Sequence, residues 1–176
     1  MVNRAMNIII TDYNENWTQL FKKEAKLISE ILKDELVEIH HIGSTAVTDL
    51  KAKPIMDIMP IVKDISNVDH FNESMIEKGY EPLGEFGING RRYFRKGGEN
   101  RTHQIHMFQY DNHFEIERHL AVRDYLRSHK KDVIEYGKLK ESLALEFPKD
   151  IEAYSNSDFV ENLERKAIEW ERENER

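Results

Sequence analysis

A Gly-Ser turn between two apolar segments constrains the fold of this chain more than any other feature. The first segment ends in His41-Ile-Gly-Ser-Thr-Ala-Val47, and the second is Lys53-Pro-Ile-Met-Asp57-Ile-Met-Pro-Ile-Val62. Short apolar runs bounded by turn residues are typical of strands. An ionised carboxylate within such a strand is costly to desolvate unless it meets water, a cation or a metal ion. We therefore predict that Asp57 lines a cleft. The alternative is a structural Asp57 paired with a lysine or arginine.

The periodicity of the rest of the chain predicts an α+β fold with a mixed sheet. Strands are predicted at residues 7–10, 36–42, 55–62, 91–96 and 102–108. One helix is predicted to begin in the polar cluster at 12–16 and to end at 33, and further helices are predicted at 66–79, 114–129, 132–147 and 157–172. The Gly-Gly-Glu-Asn stretch at 97–100 predicts a hairpin. We expect one domain over 1–176, with 113–176 as a helical C-terminal part that packs on the sheet.

Composition excludes several classes of partner. Among 176 residues, 33 Asp+Glu outnumber 26 Lys+Arg and give a net charge of -7. This charge opposes general affinity for nucleic acid or anionic membrane. The chain has no cysteine, no apolar run long enough to cross a bilayer, and no signal-peptide pattern at its start. We expect a cytoplasmic protein without a membrane or nucleic-acid partner, and the sequence does not specify a protein partner.

Three further motifs follow in order along the chain. They are Arg101-Thr-His-Gln-Ile-His106, Arg123-Asp-Tyr-Leu-Arg127 and Tyr136-Gly-Lys-Leu-Lys140. Together with the two segments around the Gly-Ser turn, they resemble the GrpB-like family of the nucleotidyltransferase superfamily over about residues 9–167. The resemblance implies a mixed sheet flanked by helices, with the turn and the acidic strand side by side at a nucleotide site. The family resemblance does not itself specify a reaction. The reaction expected of the superfamily is transfer of a nucleotidyl group from a nucleoside triphosphate, which would be the partner, to an unknown acceptor.

The resemblance implies roles for individual residues. Asp57 is predicted as the catalytic residue and as a ligand to Mg²⁺. The nucleotide-binding residues predicted from the family motifs are His41, Gly43, Ser44, Thr45, Lys53, His106 and Arg123. The basic cluster on the predicted strand at 91–96 adds Arg92 and Arg95 to this set. Active members of the superfamily usually carry a second carboxylate two residues after the first, but this chain has Met59, and a thioether does not hold Mg²⁺. The alternatives are one-metal or metal-free nucleotide binding, an inactive regulatory module, or a protein-interaction domain.

Strand geometry argues against a zinc site built from the histidines. His103 and His106 are three residues apart on a predicted strand, so their side chains point to opposite faces. The same argument separates His40 from His41. From their match to the family motifs, we expect His41 and His106 to be the histidines that face the cleft. The alternative is a core histidine bonded to the backbone.

The basic residues also have structural alternatives. The cluster from Arg91 to Arg101 presents guanidinium groups to phosphates or carries solvated charges on an exposed hairpin. Arg123 faces the cleft or pairs with Asp124 on the helix surface. Lys140 is expected to lay its stem on apolar surface rather than contact a ligand. The turn at residues 154–159 lacks a lysine that family members often place there, so no phosphate contact is expected from it.

Overall fold

Five strands form one mixed sheet in the computed structural model, which describes residues 8–148 and 158–174. The strands are β1 Leu36–Ile42, β2 Met56–Val62, β3 Tyr80–Pro82, β4 Arg91–Lys96 and β5 His103–Gln109. Their spatial order is β1-β2-β5-β4-β3. β2 and β5 are parallel, and the other neighbouring pairs are antiparallel. The helices are α1 Asn16–Leu32, α2 Asn72–Glu77, α3 His113–Ser128, α4 Lys130–Glu146 and the helix Asp158–Asn174, here α5. The predicted α+β mixed sheet is confirmed.

Strand alternation divides the core between the two faces of the sheet. Met56, Ile58 and Val62 of β2 face a cluster that includes Ile28 and Leu32 of α1. Met59 and Ile61 face the other way, into a cluster with Ile42 and Phe108 that residues of α3 cover. Asp57 belongs to this second face and lies near the start of β2. It therefore lies at one end of the sheet, where α3 and the helices after it leave space.

The C-terminal helices pack on the segment that follows the Gly-Ser turn. Val47 and Leu50 share a buried cluster with residues of α3, α4 and α5, among them Ala121, Val133 and Leu163. The turn is therefore held between the sheet and the helices. None of the helices in the described residues is both long and apolar enough to cross a membrane.

Two predicted elements differ from the structure. The strand predicted at 7–10 is wrong for residues 8–10, which form no ladder, and residue 7 lies outside the described residues. Pairing occurs at the next residue, where Thr11 forms an isolated bridge with Ala52. The helix predicted from Ser66 begins as a 3₁₀ segment, Ile65–Phe71, before α2. Its cap is Asp64, whose side chain accepts a hydrogen bond from the Ser66 N–H at 2.9 Å, because an Asp side chain bonds readily to the backbone two residues on.

A buried charged cluster connects α1 to the far strands of the sheet. Glu24 is 7% exposed, accepts a hydrogen bond from the Tyr80 hydroxyl at 2.5 Å and lies 2.9 Å from the Lys96 Nζ. Burial by itself raises the pKa of Glu24, but the bonds from Tyr80 and Lys96 outweigh burial and hold the pKa below its ordinary value. Glu24 and Lys96 form an ion pair on the face of the sheet opposite to Asp57, so we interpret the cluster as structural.

We expect Glu24→Gln to lower the free energy of unfolding by about 1–3 kcal/mol, because the change leaves Lys96 without its anionic partner. Urea unfolding at neutral pH measures this loss. Glu30→Gln is the matched control, since Glu30 is an exposed residue of the same helix. Equal stability of the two variants would contradict the role of the cluster.

Candidate functional site

Asp57 is accessible at the end of the sheet rather than sealed in the core. Its side chain is 27% exposed. It opens into a cavity of about 250 Å³, here called the Asp57 cavity. Apart from three aliphatic side chains, the described residues lining this cavity are Gly43, Ser44, Lys53, Asp57, Gln104, Tyr136 and Lys140. They come from the turn after β1, from the segment leading into β2 and β2 itself, from β5 and from α4.

A chain of hydrogen bonds orients the Asp57 carboxylate. His106 Nε2 lies 2.9 Å from Asp57 Oδ1, and His106 Nδ1 lies 3.3 Å from NH1 of Arg91. A guanidinium only donates hydrogen bonds, so Nδ1 accepts and Nε2–H donates to Asp57. Arg91 is buried and also donates to the carbonyls of Glu85 at 3.2 Å and Phe86 at 2.8 Å. The imidazole is therefore fixed in the tautomer that holds the carboxylate.

Gln104 and Gly43 complete the surroundings of the carboxylate. The Gln104 amide, oriented so that each of its atoms meets a compatible neighbour, donates to Asp57 Oδ1 at 3.0 Å and accepts from Arg101 at 3.2 Å. On the other side, a Cβ placed on Gly43 would lie 2.8 Å from Asp57 Oδ2, and Gly43 has φ +72°. Only glycine fits this backbone conformation and this close approach. His106 and Gln104 thus donate hydrogen bonds to Oδ1, whereas the Gly43 backbone lies directly against Oδ2.

Lys140 reaches the Gly-Ser turn from α4, which is a contact that the sequence did not predict. It is only 5% exposed, and its Nζ donates to Ser44 Oγ and to the Lys51 carbonyl at 3.2 Å. The Nζ also lies 4.4 Å from the centre of the Tyr136 ring. Burial, and then the charge of Lys53, lower the pKa of Lys140 to about 7. The expectation of a stem on apolar surface is wrong, and the Tyr136-to-Lys140 motif was the signal available.

Lys53 adds a second cation to the Asp57 cavity. Burial lowers its pKa, and Asp57 partly offsets that effect by favouring the charged form. Among the described residues, the cavity lining therefore combines one carboxylate with two lysines. Gly43, Ser44, Lys53, Asp57 and His106 are the predicted site residues that the structure brings together here.

The structure places Arg92 and Arg95 away from the Asp57 cavity. Arg92 Nε lies 2.8 Å from Asp69, and Arg95 Nε lies 3.0 Å from Glu81. Neither arginine lines the cavity. The carboxylates that neutralise them come from the neighbouring 3₁₀ segment and from β3, which the spacing of charges along β4 does not reveal. Arg91, which was not in the predicted set, is the arginine of this strand that acts on the site.

His41, Thr45 and Arg123 lie on the other side of the turn. His41 Nε2 is 2.8 Å from Thr45 Oγ1, and the His41 ring stacks on Phe21 with centroids 4.9 Å apart. Burial, and then Arg127, lower the pKa of His41 to about 4, so the ring is neutral at physiological pH. Arg123 pairs with Asp124 at 2.8 Å and also donates to the His41 carbonyl at 3.3 Å. These residues line a separate cavity of about 630 Å³.

The residues of the Asp57 cavity do not fit a two-metal site. Met59, at the position of the second carboxylate, is fully buried among Ile42, Ile61 and Phe108. Within 8–148 and 158–174, no group of three or more His, Cys, Asp or Glu side chains is placed to hold a metal ion. One carboxylate fits a single Mg²⁺ whose remaining ligands are water and substrate phosphates.

The turn predicted at residues 154–159 lacks the lysine of other family members. Its residues 154–157 lie outside the described residues.

The sheet order and the turn beside the acidic strand define a nucleotidyltransferase-like α+β fold. A solved structure of the Cid1 poly(U) polymerase with MgGTP bound is similar with a TM-score of 0.52 and 15% identity, covering 77% of this chain and 44% of that chain. This likeness shows the fold alone. The GrpB protein family profile matches residues 7–166, and the chain belongs to this family.

Two relatives are much more similar. The crystal structure of GrpB from Enterococcus faecalis has a TM-score of 0.89 and 43% identity, and the match covers 92% of this chain and 98% of that chain. The UPF0157 protein YqkA of Bacillus subtilis is 42% identical over 171 residues, which are 96% of this chain and 49% of YqkA. The chain therefore spans about half the length of YqkA. The resemblance to the GrpB-like family is confirmed.

We expect Gly43→Ala to lower the free energy of unfolding by about 2–4 kcal/mol, because the new methyl group meets Asp57 and φ is positive. Gly84→Ala is the matched control, since Gly84 has φ +60° but nothing within 4 Å of the position that its methyl group would take. The control is expected to cost about 1 kcal/mol. Urea unfolding compares the two variants, and equal losses would show that the contact with Asp57 has no cost.

Proposed function

We propose that this chain binds a nucleoside triphosphate in the Asp57 cavity. The observation that carries the proposal is the convergence of the Gly43–Ser44 turn, Lys53 and Lys140 around one oriented carboxylate. The nucleotidyltransferase-like fold supports a nucleotide as the ligand. The net charge of -7 argues against nucleic acid as a general partner.

The turn and the two lysines suit a chain of phosphates. The Gly43–Ser44 turn borders the cavity, so its backbone and the Ser44 hydroxyl can donate hydrogen bonds to a phosphate. Lys140 already touches this hydroxyl, so a phosphate bound at Ser44 also meets the ammonium group. Two cations against one carboxylate make the cavity net positive when both lysines are protonated. Such a cavity attracts polyphosphate more strongly than a neutral ligand.

The carboxylate gives the site a place for Mg²⁺. Asp57 Oδ2 would hold the ion together with phosphate oxygens, and when bound the ion stabilises negative charge on the phosphates. His106 and Gln104 keep the carboxylate in place through Oδ1. Because Met59 cannot supply a second carboxylate, binding is the function that the geometry supports best. Nucleotidyl transfer to an acceptor is the second candidate, and the oriented carboxylate favours it.

We expect the parent protein to bind at least one of ATP, GTP, CTP and UTP saturably, and Mg²⁺ to strengthen this binding. Asp57→Asn is expected to weaken binding in Mg²⁺ by about tenfold or more, because the amide is a poor ligand for the ion. Asp69→Asn is the matched control, since Asp69 pairs with Arg92 outside the cavity. Isothermal titration calorimetry with and without Mg²⁺ measures both effects.

The same preparations separate the two candidate functions. Release of pyrophosphate by the parent, lost in Asp57→Asn, supports nucleotidyl transfer. Saturable binding without pyrophosphate release supports a binding or regulatory module. If none of the four nucleotides binds to the parent protein, the nucleotide proposal is wrong and a protein-interaction domain is the remaining candidate.

Lys140 gives nucleotide binding a characteristic pH dependence. Burial and the charge of Lys53 lower the pKa of Lys140 to about 7 in the free protein, against the opposing effect of Asp57. The partly buried Tyr136 ring lies beside the ammonium group. A bound phosphate favours the charged lysine, so the protein must take up a proton on binding above this pH. We expect affinity to fall about tenfold per unit from about pH 7 to about pH 9. Lys140→Met should bind more weakly and show no such slope. Parallel slopes for the two proteins would contradict the assignment.

A further inference from the structure

A second cavity lies on the other side of the Gly-Ser turn from Asp57. Its volume is about 630 Å³, which is within the range of roughly 300–1,000 Å³ typical of small-molecule sites. It lies between α1, the end of β1, the turn and α3. Here it is called the Arg127 cavity, and its defining residues are Phe21, Lys22, His41, Thr45, Arg123 and Arg127.

The charge of the Arg127 cavity differs from that of the whole chain. Lys22, Arg123 and Arg127 line it, and no Asp or Glu is among the described residues that do so. Asp124 neutralises Arg123 from outside the cavity, at 2.8 Å. Lys22 and Arg127 have no such partner in the described ranges. A cavity with this surplus of positive charge, in a chain of net charge -7, is suited to an anion.

Arg127 directs hydrogen-bond donors at this space. Its Nε donates to the Ala46 carbonyl at 2.9 Å, which fixes the plane of the guanidinium. Among the residues that the structure describes, its terminal nitrogens have no protein acceptor. Burial, and then Arg123 four residues away, lower the pKa of Arg127, because like charges at this spacing on a helix repel. A bound anion would relieve the repulsion, and a guanidinium fork suits a phosphate or carboxylate.

The remaining walls suit an organic ligand. The Phe21 and His41 rings are stacked, and His41 is neutral, so this wall adds aromatic surface without charge. Thr45 and Ala46 line the Arg127 cavity, whereas Gly43 and Ser44 line the Asp57 cavity. Consecutive residues of one turn therefore border both cavities.

We propose that the Arg127 cavity binds a second small ligand that carries a phosphate or carboxylate group. Arg127, Arg123 and Lys22 bind the anionic group, and the stacked rings contact the rest of the molecule. The proposal does not depend on nucleotide binding, because it uses different residues. Occupancy of one cavity is expected to alter the other through the shared turn.

An NMR titration of the ¹⁵N-labelled chain with inorganic phosphate and, separately, with citrate tests the proposal. The two probes distinguish a phosphate from a carboxylate preference. We expect at least one probe to shift the resonances of residues 45–48 and the Arg127 side chain saturably. Arg127→Met should weaken that binding about tenfold or more, as expected for loss of a charged hydrogen-bonding group.

Two further variants make the result decisive. Lys22→Met removes a charge from an exposed position on α1 that does not contact the turn. It should weaken binding about threefold. This variant therefore keeps the test valid if Arg127→Met alters the turn. Arg165→Met removes an exposed arginine on α5 that does not line the cavity, and it should have no effect. Absence of saturable shifts for both probes would overturn the proposal. The proposal would also be overturned if Lys140→Met weakened binding of the probe while Arg127→Met and Lys22→Met had no effect. The anion would then occupy the Asp57 cavity.

Discussion

The close approach of the Gly43 backbone to the Asp57 carboxylate is the contact on which the site depends. β1 and β2 are antiparallel neighbours, and their register pairs Ile42 with Asp57. The residue after Ile42 must therefore turn away directly beside the carboxylate. A side chain there would collide with Oδ2, and the backbone needs positive φ. Glycine satisfies both demands, and the turn that results brings Ser44 into the cavity.

The C-terminal helices are part of the site because α4 supplies Lys140. Burying an ammonium group is costly unless it is hydrogen-bonded or meets an opposite charge. Lys140 meets the Ser44 hydroxyl, a carbonyl and an aromatic ring, but no carboxylate of the described residues within hydrogen-bonding distance. Its lowered pKa is the consequence. The same lysines that favour phosphate oppose a bare divalent ion, so Mg²⁺ fits this cavity best as a complex with the phosphates of its ligand.

The sequence predicted the strands around the site because alternation and turn residues are local signals. Alternation also correctly put His103 and His106 on opposite faces of the sheet, and the match to the family motif selected His106 as the histidine that faces Asp57. It did not predict Lys140, because Ser44 lies 96 positions away in the chain and only the packing of α4 brings the two together. Arg92 and Arg95 were predicted in the site because a dense basic cluster suggests phosphate, whereas their carboxylate partners come from other elements.

The position of helix α3 explains both the absence of a second carboxylate on β2 and the basic wall of the Arg127 cavity. Ile116 and Leu120 of α3 pack on the cluster that contains Met59. A carboxylate at that position would be buried among apolar side chains, so the packing of α3 is incompatible with a second metal ligand on β2. One to two turns further along α3, Arg123 and Arg127 bond to backbone carbonyls on either side of the Gly-Ser turn. Helix α3 thus buries the position where a second carboxylate would lie. The same helix holds the turn in place and forms the basic wall of the Arg127 cavity.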